Sequence, residues 1–408
     1  MILPQSFFRS FRSRNYRLYF AGQGISLIGT WMQMLAMSWL VYRISRSAFI
    51  LGSLGFFSQL PNFFLTPFTG VLADRWNRRR IVVATQTLFM IQALLLALLV
   101  FAGWVSVWLI IALSMLMGII NAFDAPARQS LVVQIVDRRE DLGNAIALNS
   151  VMFNGARLIG PSIAGILIAL IGEGLCFLLN GLSYLAVLGA LLAMRLPPQS
   201  HSGPGEGVLR ELKEGLTYAW GMPPIRRTLA LLVSVSFLGL SFTTLLPLFA
   251  EEILHSGAHG LGFLLGAMGS GALAGATYMA SRKSSRGLRR HLATSAAVLG
   301  ASLIGFSFSS FIWLSLLLMV FVGLGMITMM ISCNTFLQSI VADDKRARVM
   351  GLYVMAFMGT TPFGSLLVGS MATLIGVRWT VFIGGCSCLA SAAVFGRRLV
   401  RSAAVEGV

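Results

Sequence analysis

The chain has 408 residues, 56% of them apolar and only 11% charged, with a mean hydropathy of +0.81. A soluble domain carries about a quarter charged residues, so a water-soluble enzyme or binding module is excluded. A net charge of +17 would point to nucleic acid in a soluble protein, but in a membrane chain basic residues report orientation, and no nucleic-acid partner is expected.

Apolar runs repeatedly reach the ~20 residues that cross ~30 Å of hydrocarbon. Hydropathy, punctuated by glycine, proline and charge, predicts helices over 16–43, 47–73, 80–102, 105–123, 142–171 and 174–194, then over 228–250, 259–281, 289–309, 311–333, 346–375 and 378–396. Arg9, Arg12, Arg14 and Arg17 precede the first run. That run is too long for a signal-peptide core and is expected to stay attached as the first span. The hydrophilic stretch after Arg195 opens with Pro197 and Pro198 and is rich in Ser, Gly and Pro, the composition of a linker. The expected architecture is an all-α polytopic membrane protein of twelve transmembrane helices: a six-helix bundle over 1–194, a cytoplasmic linker over 195–227 and a second six-helix bundle over 228–408.

Lys and Arg test this topology. Of the 31, 27 fall on the side of the amino terminus, the linker and the carboxyl terminus; Arg43, Arg46 and Arg378 lie opposite, and Arg157 lies within a helix. A miscounted helix would scramble that alternation, so both termini are expected in the cytoplasm. The halves also resemble each other: Gln134 to Gly172 and Gln338 to Gly376 have equal length, and each ends in a Gly-rich helix. Parallel repeats of this kind place a substrate site near the midplane. Cys176, Cys333, Cys386 and Cys388 sit in apolar segments without metal-ligand spacing and read as packing residues. No Gly-Lys-Ser loop, catalytic triad or metal cluster is present, so neither enzyme activity nor a cofactor is expected.

The segment Gly70-Val71-Leu72-Ala73-Asp74-Arg75-Trp76-Asn77-Arg78-Arg79-Arg80 links the second and third helices. It resembles the signature loop of the major facilitator superfamily. That resemblance implies gating roles: Gly70 lets helices approach, Asp74 accepts hydrogen bonds from a neighbouring helix end, and Arg75 and Arg79 stay at the cytoplasmic surface. Asn77 stands where the family usually has Gly and is expected to tolerate a left-handed turn. The alternative is an ordinary positive-inside loop. The second-half counterpart around Arg282 lacks the acid, so any latch is expected to be asymmetric.

In the fifth helix, Ala147, Ala156, Gly160, Ala164 and Gly165 with Pro161 resemble a degraded form of the antiporter motif of the superfamily, which implies gating at Gly160 and Pro161. Simple close packing is the alternative. Arg157 lies sixteen residues beyond Asp141, about 24 Å along a helix. An arginine there is costly and is expected to face a cavity or a partner. Ser150, Asn154, Arg157 and Pro161 share one helical stripe, and with no acid placed deep in any span they are expected to bind an anionic or polar substrate. Helix one carries a second stripe, Gln23, Ser26, Thr30 and Gln33, and helix two a third, Gln59, Asn62, Thr66 and Thr69. Such stripes line a path or bond neighbouring helices; Thr30, Gln33, Gln59 and Asn62 are the path candidates. Ser241, Thr244, Asn334 and Thr361 are the candidates of the second half. Asp124 and Arg128, read as following helix four around Pro126, are expected to cap that helix or to form a cytoplasmic gate.

Phe11-Arg12-Ser13-Arg14-Asn15-Tyr16, the loop at Asp74 and Asn154-Gly155-Ala156-Arg157-Leu158-Ile159-Gly160-Pro161 together resemble the enterobactin-exporter-like branch of the superfamily along essentially the whole chain. The branch implies export of a siderophore or a macrolide from the inner membrane by proton antiport. Lysophospholipid flipping and a non-transporting receptor or scaffold are the remaining alternatives. The expected partners are a small-molecule substrate, membrane lipids and the exchanged protons, with the chain acting as a monomer.

Overall fold

Lipid offers backbone amides no hydrogen-bond partner, so a chain this apolar can cross it only as helices or a closed barrel. The computed structural model describes residues 5–196, 208–282, 287–343 and 345–396, which are helical with no strand among them. Twelve helices in it are long and apolar enough to cross a membrane, as the hydropathy predicts. The chain divides into two units, Met1–Leu40 with Leu60–Gly205, and Val41–Gln59 with Glu206–Val408.

The first unit is built from α1 (Arg14–Ser45), α2 (Ala48–Arg75), α3 (Arg78–Phe101), α4 (Val107–Ile135), α5 (Leu142–Ile171) and α6 (Glu173–Ala193). The end of α1 and the start of α2 belong to the second unit. Helix α3 packs on α4 and α6, and α5 on α6, around a core that includes Tyr16, Phe89, Leu131 and Tyr184. Phe89 and Tyr184 stack with ring centroids 5.8 Å apart, and the buried Tyr16 hydroxyl donates to the Ala145 carbonyl at 2.9 Å. Asn77 corrects the sequence expectation. Its backbone is extended (φ −66°, ψ 109°) and its side chain caps α3 by accepting from the Arg80 amide, so the position needs a capping oxygen, not left-handed freedom.

Helix α4 also departs from expectation. Asp124, Pro126 and Arg128 read as the residues after a helix ending at 123, yet α4 continues to Ile135 with Pro126 inside it. In the same way, the helix expected to end at 333 runs on to Ile340. Polar residues inside a span look like a loop until their partners are known.

After Val41–Gln59 the second unit continues with α7 (Val208–Gly221), an amphipathic helix inside the stretch read as linker, tied to the Arg348–Ile375 span by the 2.7 Å ion pair of Glu214 with Arg348. The next span, Pro223–Ile253, is irregular: α8 (Pro223–Ser234), a π turn at Val235–Leu240, a 3-10 turn at Ser241–Leu245, the single turn α9 (Leu246–Leu248) and a π turn at Phe249–Ile253. Pro247 has no amide hydrogen for the ladder, and the flanking turns re-register the bonds around it. Then follow α10 (Gly257–Ser281), α11 (Leu288–Phe308), α12 (Ile312–Ile340), α13 (Arg346–Met358), α14 (Thr361–Ile375) and α15 (Val377–Ser391). The span made of α13 and α14 breaks at Gly359 and Thr360, just before Pro362. Helices α10 and α12 approach so closely that a Cβ on Gly271 or Gly323 would overlap the backbone of Val320 or Met268 respectively, the small-residue contact that joins helices in lipid. The repeat seen in the sequence has a backbone counterpart: Gly172 after α5 and Gly376 after α14 both take positive φ, 99° and 84°, a region that only glycine enters cheaply.

Candidate functional site

On α5 the predicted stripe is graded in exposure. Ser150 is exposed, Asn154 and Arg157 are half-buried, and Pro161 is buried. Ser150 and Asn154 turn inward on their own helix: Ser150 Oγ donates to the Ile146 carbonyl at 3.1 Å and Asn154 Nδ2 to the Ser150 carbonyl at 2.8 Å. Arg157 holds its guanidinium 5.5 Å from the centroid of the Trp31 indole, and Trp31 meets Phe153 edge to face at 5.7 Å. Gly160 makes this contact possible, because a Cβ there would sit 2.7 Å from the Ile28 carbonyl and from Trp31 Cβ. A cation on an aromatic face is a favourable partner in a medium of low polarity, and one edge of a planar guanidinium can still address an anion in two-pronged fashion.

The stripe on α1 has a different use. Gln33 is buried, and both ends of its amide are bound: Nε2 donates to Gln92 Oε1 at 2.8 Å, and Oε1 accepts from Asn180 Nδ2 at 2.7 Å. Gln92 Nε2 goes on to the Leu113 carbonyl at 3.3 Å. Thr30 Oγ1 lies 3.2 Å from the Tyr184 hydroxyl. Thus α1, α3, α4 and α6 are joined through side-chain amides. Asn62 behaves alike, accepting from Asn121 at 3.3 Å across α2 and α4, while Gln59 is half-buried on α2. Gln33→Leu strands the Asn180 donor and the Gln92 acceptor, so it is expected to cost about 1–3 kcal/mol. Thermal unfolding in detergent reads that loss, and replacing Gln33, Gln92 and Asn180 together by leucine should recover part of it.

A second polar centre forms around Asp124 and Arg128, whose partners the sequence does not name. Asp124, 1% exposed, accepts from Thr85 Oγ1 at 2.8 Å and Gln86 Nε2 at 2.9 Å on one oxygen, and from Arg128 Nε at 2.9 Å on the other. Tyr19 bonds Arg128 from α1. Asp124 stands eleven residues before the end of α4 at Ile135, about 16 Å of helix. The expectation that no acid lies deep in a span is therefore corrected. Asp124 and Arg128 also do not cap α4; they sit inside it and tie it to α3 and α1.

Of the expected gating residues, the surroundings of Gly70 and the side chains of Asp74 and Arg75 lie outside what the structure describes, and Arg79 donates to the Leu192 carbonyl at 3.0 Å. In the second unit the structure brings Thr244 Oγ1 within 3.2 Å of Ser365 Oγ, beside the helix break before Pro362. Ser241 Oγ bonds the Ser236 carbonyl at 3.3 Å, Thr361 the Phe357 carbonyl at 3.0 Å, and Asn334 accepts from Gln338 at 2.6 Å. Residues 85, 86, 92, 180 and 184 were missed because none of them forms a polar stripe along its helix, and their roles show only once their partners are known.

The match to the transmembrane secretion effector model covers residues 5–406. Among curated relatives, the staphyloferrin A transporter of Staphylococcus aureus is 23% identical over 93% of this chain and 95% of its own. The multidrug efflux pump Tap of Mycolicibacterium fortuitum is 25% identical over 88% of each. Among solved structures, a bacterial homologue of the human lysosomal transporter Spinster, inward-facing and occupied, superimposes with a TM-score of 0.74 at 15% identity over 97% of each chain. Family and relatives are transporters, not enzymes. The chain, a multi-pass membrane protein with twelve apolar helices, therefore belongs to the transmembrane secretion effector family of the major facilitator superfamily.

Proposed function

We propose that this transporter exports a small amphiphilic molecule, anionic or neutral and of siderophore type, across a bacterial cytoplasmic membrane by alternating access of its two halves, in exchange for protons. The observation that carries this reading is Arg157, a cation far from any chain end, seated on Trp31 beside the polar stripe of Ser150 and Asn154. An intramembrane arginine is a functional site by default, and its charge favours carboxylate-bearing cargo and opposes lipophilic cations. Similarity to a staphyloferrin A transporter supports the cargo class. Similarity to Tap supports a second reading, efflux of a macrolide-type drug. Asp124 is the buried carboxylate on which proton exchange would turn, and the crowding of Lys and Arg on one side supports a cytoplasmic position for both termini and the linker.

The test is metabolite profiling of medium from a deletion strain under iron-poor and iron-rich growth, with macrolide susceptibility measured beside it. Loss of a siderophore from the medium is expected. An unchanged pool with raised macrolide sensitivity would replace the first cargo by the second. In vesicles, flux that ignores collapse of the pH gradient would remove proton exchange.

A further inference from the structure

Three side-chain oxygens of the first unit, Gln23 Oε1, Ser26 Oγ and Gln86 Oε1, have no hydrogen-bond partner among the described residues, although their residues are only 3%, 1% and 2% exposed. An oxygen buried without a donor costs more than a made hydrogen bond gains, so native proteins answer nearly all of them.

The three stand at one level of the first unit. Gln33 Nε2 on α1 reaches Gln92 Oε1 on α3 at 2.8 Å and lies 3.8 Å from Met117 Sδ on α4. From this tie toward the starts of α1 and α3 and the end of α4, Ser26, Gln86 and Asp124 each come after about 10 Å of helix. Gln86 Nε2 agrees with that level, donating to Asp124 Oδ1 at 2.9 Å. Gln23 shares the face of α1 that carries Ser26, and the same face is held at both ends. Tyr19, one turn before Gln23, bonds Arg128, and Thr30, one turn after Ser26, lies 3.2 Å from the Tyr184 hydroxyl.

Oxygens gathered without donors suit a hard cation. One carboxylate, already shared with Arg128, is too little negative charge for Ca2+ or Mg2+, which leaves a monovalent ion, and four oxygens match the small shell of Na+ better than the wider one of K+. Arg128 Nε holds Asp124 Oδ2 at 2.9 Å, so a cation on the Oδ1 side has the carboxylate between itself and the guanidinium. Thr85 Oγ1 also lies 3.0 Å from the Val82 carbonyl; its proton can turn there and open a lone pair on Oδ1.

We infer that Gln23, Ser26, Gln86 and Asp124 form a Na+ site between α1, α3 and α4, which steadies these helices when filled. The site shares Asp124 with the proposed proton exchange, but its test measures binding without flux, so failure of that exchange leaves it readable.

Thermal unfolding of the purified full chain in detergent is followed at fixed pH and ionic strength as Na+ replaces choline, with K+ replacing choline in parallel. A saturable rise of the midpoint with Na+ is expected, with binding of K+ about tenfold weaker or less. Gln23→Met and Ser26→Cys each remove one hard oxygen with little change of shape. Both are expected to weaken Na+ binding about tenfold or more. In choline both should unfold at or above the parent temperature, because an oxygen without a donor no longer has to be buried. Gln33→Leu, one level away, should lower the midpoint yet keep the rise with Na+. No rise in the parent, or an equal rise with K+, overturns the site. So does a Na+ response unchanged in both variants. Unfolding of either variant well below the parent in choline overturns it too, since the lost oxygen was then bonded within the protein.

Discussion

Arg157→Gln is expected to slow export of an anionic cargo by one to two orders of magnitude while the amount of folded carrier stays near that of the parent. The estimate follows from the loss of a charged hydrogen bond to cargo, about 1.5–3 kcal/mol. Glutamine keeps a polar group on the stripe and fits where the guanidinium lay, so its main effect is removal of the charge. Arg157→Lys separates the two attributes of the residue, because a lysine retains the charge but not the flat face that covers Trp31 or the paired donors for a carboxylate. It should keep some transport and lose preference among anions. The measurement is initial flux of charged and neutral cargo analogues in vesicles, with thermal unfolding in parallel. If Arg157→Gln lowers the unfolding midpoint and leaves flux per folded carrier intact, Arg157 is a helix-packing residue.

Asp124→Leu is expected to have the largest effect on stability. It leaves the half-buried Arg128 guanidinium opposite an apolar group and strands one donor of Gln86, while the Thr85 hydroxyl keeps the Val82 carbonyl, and breaking a buried pair from one side costs about 3–5 kcal/mol. Carrier recovered from the membrane should fall sharply. Adding Arg128→Met removes the stranded charge, and much of the loss should return, because a buried ion pair replaced whole by apolar side chains is often neutral. Asp124→Asn tests chemistry instead. It keeps the shape and an acceptor for Thr85 but cannot exchange a proton, so carrier that folds but no longer responds to a pH gradient would identify Asp124 as the coupling group. A gradient response equal to that of the parent would leave Asp124 as a tie between helices.

The spans were legible because the solvent is unforgiving: a residue that faces lipid must be apolar, and backbone amides must bond within the helix. Errors arose where the sequence is polar within a span. Asp124 and Arg128 around Pro126 carry the marks of a loop, and only the donors on α3 and the Tyr19 hydroxyl on α1 show why the helix tolerates them. Arg157 was visible because one charge in an apolar run has no ordinary explanation. The amide ties were not, since Gln33 and Asn180 are separated by 147 residues and nothing in either neighbourhood names the other. Ser241, Thr244 and Thr361 stood out as polar residues, but the interruptions of the helices around them depend on tertiary packing that no local pattern encodes.

The choice of amides to fasten α1, α3 and α6 has a consequence for the habitat of the protein. Gln33, Gln92 and Asn180 carry no titrating group, so the pattern of donors and acceptors among them is the same in an acidified medium as in a neutral one. A scaffold joined in this way is silent to acidity. Any response of the carrier to protons must then arise at groups outside this amide network, Asp124 among them, which has to serve as a tie between helices and a titratable group at once.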